Sequence, residues 1–247
     1  MKQVSTIIIL LFAAQMIKIE TVFSQIRIAK KSVQSSAFIF PVLSKNGKTL
    51  DAFVPQGWSV IDSVSGDLNK DSVADEVMIL EYQDSIRVKN ECNHPRVLLI
   101  AFRNGDHWEL KLQHNTLIER KELLDDNSSY EDDPYESMEI SKGVLRIHFS
   151  WSDRGAGTKI QYVIRYQSND FYLIGATKES GYRSSTSISD FNFSTRKYIH
   201  HVADYESGFG GTDEEYEIKK KLPENTLKKI SELTELQAWN VYEDEWI

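Results

Sequence analysis

Asp67, Asn69, Asp71 and Asp75 crowd into the stretch SGDLNKDSVADEVMIL (65–80), and together they could bind a cation. Counted from Asp67, side-chain oxygens fall at positions 1, 3, 5 and 9, and Val73 at position 7 can offer its backbone carbonyl. Alternate residues of a tight loop turn toward a common centre, so this spacing gathers up to five protein oxygens around one hard ion. Calcium takes roughly six to eight oxygens at flexible geometry, with water completing the shell. Magnesium demands a stricter octahedron, and zinc prefers nitrogen or sulfur, which the loop lacks. The expected site is therefore a structural Ca2+ held by Asp67, Asn69, Asp71, Val73 and Asp75. The plain alternative is a surface turn, because Asp and Asn favour turns for backbone reasons alone. An EF-hand is excluded: it needs Glu at position 12 and flanking helices, whereas position 12 is Met78 in a strand-like run.

Such a loop needs strands to hold it. WSVIDSV before it alternates, and EVMILEY after it is a short apolar run rich in β-branched residues, as is RVLLIAF (96–102). The last two suit central strands buried on both faces. Asn104-Gly105 between apolar runs predicts a tight hairpin, since its central residues tolerate positive φ. In GVLRIHFSW, Leu145, Ile147, Phe149 and Trp151 share one face, with His148 on the polar one; KIQYVIRYQ repeats the pattern through Ile160, Tyr162, Ile164 and Tyr166. SDRGAGT and QSND supply turns, giving an antiparallel meander. Near the end, Pro223 followed by Leu227, Ile230, Leu233 and Leu236 predicts a short amphipathic helix packed on the sheet. The expected fold class is mainly β: a sandwich-like antiparallel meander in one domain, 25–247, with that C-terminal helix.

The N-terminus predicts export. Lys2 precedes an apolar core, Ile7–Ala14, and Val22 and Ser24 suit a cleavage before Gln25, so 1–24 reads as a signal peptide. Gln15 and Lys18 interrupt the apolar run short of the roughly 20 residues a spanning helix needs, so no transmembrane segment is expected in the mature chain. The destination would be periplasmic or extracellular. Cys92 is the sole cysteine of 247 residues, so no internal disulfide is available and stability rests on the core and a metal. The net charge of −8 argues against nucleic acid, which calls for a basic stripe.

The remaining candidates are weaker. The acidic 125–136 segment is irregularly spaced and reads as a solvated loop. His200 and His201 are adjacent, so on a strand they point to opposite faces and cannot share a zinc. Cys92 beside His94 lacks a third, orienting group. The glycines of SGFGGTDEEYE lack a P-loop lysine and read as a surface loop. Trp58, Trp108 and Trp151 fall in strand patterns that suggest core.

GDLNKDSVADEVMI resembles the calcium loops of FG-GAP-type repeats in integrin-like β-propeller blades, where Asp-x-Asp/Asn-x-Asp-Gly-x-x-Asp precedes a strand. This chain departs at Ser72, where the family carries glycine; a left-handed serine there costs on the order of 1 kcal/mol. No second copy occurs, since ISDFNFSTRKYI lacks the acidic spacing, so a propeller is not expected. Over residues 50–176, FVPQGW, GDLNKD, RVLLI, GVLRIHFSW and YVIRYQSNDFYLIG together resemble a group of exported bacterial proteins of unknown function. That resemblance implies fold and export, but no activity. The sequence thus leads to a calcium-stabilised exported module that binds a protein or glycan partner, with no catalytic residues. The alternatives are a secreted glycan hydrolase using carboxylates from separate strands, and a periplasmic inhibitor or immunity-type protein acting through the acidic 125–136 segment.

Overall fold

The computed structural model describes residues 38–247, apart from 89–90, 119, 126–127, 154–155, 206–212, 225–226, 235, 238 and 243–244. The leader reading of 1–24 lies outside these residues. Phe40–Ile247 is one compact unit.

In chain order the strands are β1 (Asn46–Gly47), β2 (Trp58–Gly66), β3 (Asp75–Tyr82), β4 (Ile86–Val88), β5 (Glu91–His94), β6 (Arg96–Asn104) and β7 (His107–His114). Next come β8 (Arg120–Asp125), β9 (Ser128–Asp132), β10 (Tyr135–Ser141), β11 (Val144–Asp153), β12 (Ala156–Gln167) and β13 (Asp170–Tyr182). The rest are β14 (Ser185–Asn192), β15 (Lys197–Asp204), β16 (Glu214–Lys221), β17 (Lys228–Lys229), β18 (Asn240–Tyr242) and β19 (Glu245–Trp246). A five-stranded antiparallel sheet runs β1-β7-β6-β3-β2. A larger sheet is a plain meander from β10 to β16, with β17 added on β13. β4, β5, β8 and β9 form a small sheet, and β18 pairs with β19.

The two main sheets share one core. Val77, Ile79, Leu98 and Ile100 from the first meet Ile147, Phe149, Tyr162 and Phe171 from the second in a single buried cluster. Phe102 of β6 sets its ring edge-on to Tyr166 and Phe171 of the facing sheet. This is the sandwich that the alternation predicts, because period-2 strands with one apolar face must bury that face against another sheet. β3 and β6 are buried on their second face too, where Met78, Leu80, Val97 and Leu99 lie outside that cluster, as do buried Leu43 and Phe53 of the N-terminal segment.

The turns follow their chemistry. Ser168 and Asn169, both left-handed, close Gln167 against Asp170, as QSND suggests. The hairpin after β6 is shifted by one residue from expectation. Asn104 pairs with His107, so Gly105 and Asp106 are the central pair, and only Gly105 (φ +61°) is left-handed. Gly66 serves a close approach instead: a Cβ there would stand 2.6 Å from Cγ2 of Ile140 on β10.

Two expectations are corrected. Among the described residues there is no C-terminal α-helix; Ile230–Glu232 makes a 3-10 turn, and Lys228–Lys229 pairs with Tyr172 and Leu173. The apolar residues explain this. Leu227, Ile230, Leu233 and Leu236 recur at strict threes, and on a 3.6-residue helix each such step slips about 60°. Across three steps the first and last leucines would lie on opposite helix faces. The acidic 125–136 segment is not a loop over most of its length, since β9 and the start of β10 fall within it.

His114, at the end of β7, fastens the irregular C-terminal segment. It is buried, and its Nε2 lies 2.8 Å from the Leu233 carbonyl and 3.1 Å from that of Ile230. Carbonyls only accept, so Nε2 carries the proton. Nδ1 therefore accepts from the N–H groups of Leu117 (3.2 Å) and Thr116 (3.4 Å). Burial pushes the His114 pKa down, opposed by its bonds to Leu233 and Ile230.

Candidate metal centre

β2 and β3 pair as far as Gly66 opposite Asp75, and the acidic loop is what they leave between them. Its backbone coils tightly: Lys70 (φ +66°) and Ser72 (φ +68°) are both left-handed. The Asp67 carboxylate sits inside the coil. Oδ1 accepts the N–H of Lys70 at 2.6 Å and of Asp71 at 3.2 Å, and Oδ2 accepts that of Ser72 at 2.9 Å. Asn69 accepts the Asp71 N–H at 3.0 Å and donates its amide to Asp71 Oδ2 at 2.9 Å. Asp71 Oδ1 accepts the N–H of Val73 at 2.8 Å.

Leu68, between the first two acidic positions, is buried in the shared core and plants the loop there. Asp75 holds the other end. Its carboxylate is fully buried, with Oδ2 accepting the N–H groups of Leu68 (2.9 Å) and Asn69 (3.4 Å), and Oδ1 that of Arg103 (3.4 Å). Burial raises its pKa, the bonds from Leu68, Arg103 and Asn69 oppose this, and the Asp71 charge adds to it. Turn Gly143 packs alongside: a Cβ there would stand 3.2 Å from Cε of Lys70 and 3.6 Å from the Asp67 carbonyl oxygen.

The structure thus brings Asp67, Asn69, Asp71 and Val73 into one exposed coil and sets Asp75 behind it as an anchor. A carboxylate offers about four acceptor positions. Asp67 spends three on backbone N–H groups, and Asp71 one on the Val73 N–H and one on the Asn69 amide, so both keep capacity for an ion. The donors are all hard oxygens and fit calcium by type. Among the described residues, no three His, Cys, Asp or Glu side chains already converge as a metal-holding group.

The other candidates separate. His200 bonds Ser189 at 2.8 Å on the core-side face, whereas His201 meets Glu215 at 3.3 Å on the opposite face. Cys92 lies in β5 with its side chain outside the described residues, and the whole Gly208–Gly211 stretch lies outside them too. Trp58 is buried, and Trp151 packs half-buried against the core. Trp108 is half-buried under the Arg103 guanidinium. Glu136 and Glu179 border a shallow hollow on the outer face of the large sheet, shared with His148, Lys159 and Gln161.

One polar cluster escapes sequence reasoning. Buried Arg96 of β6 meets Asp133 with two bonds, Nη1 to Oδ1 at 2.7 Å and Nη2 to Oδ2 at 2.6 Å. Its Nε reaches Glu81 of β3 at 2.7 Å. Burial opposes the charge, but Asp133 and Glu81 outweigh it and hold the guanidinium above its usual pKa. Next to it, the Tyr135 hydroxyl donates to Asp62 of β2, and burial together with that bond pushes the phenol well above its usual range. These contacts tie the first sheet to the start of β10. Arg96 alone is visible in sequence, as a charge opening an apolar run.

No family model, curated protein or solved structure matches this chain. Among the described residues no helix is long and apolar enough to cross a membrane.

Proposed function

We propose that this chain is an exported β-sandwich module with a binding role and no catalysis of its own, whose Asp67–Asp75 loop takes one structural calcium ion. The observation that carries the calcium is the backbone at Ser72. FG-GAP-type loops use glycine at that position, and here the serine holds φ +68°. An L-residue in that conformation costs about 1–2 kcal/mol, and Lys70 carries the same burden. The coil that keeps both fixes the Asp67 carboxylate with three backbone N–H groups and holds Asp71 at its rim, leaving carboxylate oxygens free to meet a cation. An ion there would also relieve the repulsion that Asp71 exerts on buried Asp75. Export rests on the Lys2, Ile7–Ala14, Val22 and Ser24 pattern. The partner would be a protein or glycan.

The test is thermal unfolding with EDTA, then with millimolar calcium or magnesium, beside Asp71→Ala. A ligand at 100 times its dissociation constant adds about 2.7 kcal/mol, a rise of several degrees for a domain of this size. Calcium is expected to give that rise, magnesium a smaller one, and Asp71→Ala to abolish both. A midpoint indifferent to calcium would reduce the loop to a turn.

A further inference from the structure

β16 ends the large sheet, and among the described residues β15 is its one strand neighbour. All eight of its residues are exposed. Half the backbone N–H and C=O groups of such an edge face outward, ready to pair with another strand. Charged edges normally repel that pairing, yet the sequence here, EEYEIKKK, puts its negative charges first and its positive charges last. Tyr216 and Ile218, opposite Val202 and His200, share the core-side face and stay about half exposed. Glu215, Glu217, Lys219 and Lys221 share the other face.

We propose that β16 pairs antiparallel with β16 of a second copy of this chain, joining two eight-stranded sheets into one about a twofold axis through Ile218. In an isologous antiparallel pair the axis stands perpendicular to the sheet and passes through one residue position, so the registers can be enumerated. Centred on Ile218, Glu215 faces Lys221 and Glu217 faces Lys219, each twice by symmetry. On the core-side face Tyr216 meets Lys220, and Ile218 meets Ile218. Centred on Glu217 or Lys219, that residue faces its own copy; centred on Tyr216, Glu215 faces Glu217. Of these four, only the Ile218 register sets no like charges in opposition. Within one copy Glu217 already holds Lys219 at 2.6 Å, so both side chains lie where the partner needs them. One edge strand buries less than the roughly 1,200–2,000 Å² of a stable complex. The dimer is accordingly weak, and weaker still in salt.

Sedimentation equilibrium from micromolar to millimolar protein tests this. The expected result is a concentration-dependent dimer whose dissociation constant rises at least about tenfold in Lys219→Glu/Lys221→Glu and in Glu215→Lys/Glu217→Lys. Mixing the two variants is expected to restore pairing as a heterodimer, a rescue that misfolded chains could not give. In a Cys92→Ser background, Ile218→Cys is expected to form a disulfide-linked dimer under mild oxidation, because the axis brings that position against itself. A monomer throughout the range overturns the proposal, as does a dimer indifferent to both charge variants or an Ile218→Cys chain that does not cross-link.

Discussion

Arg96→Ala is expected to destabilise the domain by about 3–5 kcal/mol. Arg96 is 4% exposed and serves two carboxylates, so its removal strips Asp133 of its bidentate partner and leaves Glu81 only Arg120, 4.0 Å away. The Asp133 side chain is 34% exposed, and water can reach it, which places the expectation toward the low end. For a chain of this size the melting midpoint should fall by on the order of 10 °C. Arg96→Met, which keeps the stem and loses the charge, should recover only part of this, since the stranded carboxylates remain. Urea unfolding of the three proteins checks it. A loss below about 1 kcal/mol for Arg96→Ala would show that solvent, not Arg96, satisfies those acids.

Acidification supplies the second large effect, through His114. Its pKa is depressed in the folded chain from a reference value of 6.5. A depressed pKa means that its stabilising contribution is complete above the unfolded value and is lost as pH falls through the folded one. The geometry gives the reason. A second proton on Nδ1 would point at the N–H groups of Leu117 and Thr116, donor against donor. Melting midpoints should therefore drop as pH falls below about 6.5. His114→Phe should remove this dependence and cost on the order of 3 kcal/mol at neutral pH, because the imidazole's bonds to two carbonyls and two N–H groups are lost and only the Ile230 carbonyl keeps another donor, the Leu233 N–H. A variant that keeps the wild-type pH profile would assign the effect to other groups.

Much of the fold is legible in the residues, and the failures share a cause. Strands betray themselves locally: Leu145, Ile147 and Phe149 alternate, and the structure buries all three. The same rule could have placed Asp75 correctly. It has the strand parity of Val77 and Ile79, so it points toward the core, a placement that counting it as the ninth loop position, among the ion's oxygens, does not convey. Leu68, an apolar residue inside an acidic motif, is likewise set in the core. The C-terminal leucines misled because a three-residue recurrence imitates a helix over one turn and diverges over three. The Arg96 cluster has no local signature at all; its partners lie 15 and 37 residues away, and only the stacking of the sheets unites them.

The fastening at His114 also governs timing. Its bonds to Ile230 and Leu233 span 116 and 119 residues, and beside them Thr116 donates to the Thr234 carbonyl across 118. Closing loops of that length is entropically costly and is deferred until nearer contacts have formed. The meander from β10 to β16, built of hairpins between neighbours, can assemble well before it. For that interval the apolar surface later covered by Ile230, Leu233 and Val241 faces water, and it is there that a folding chain of this protein is most vulnerable to its neighbours.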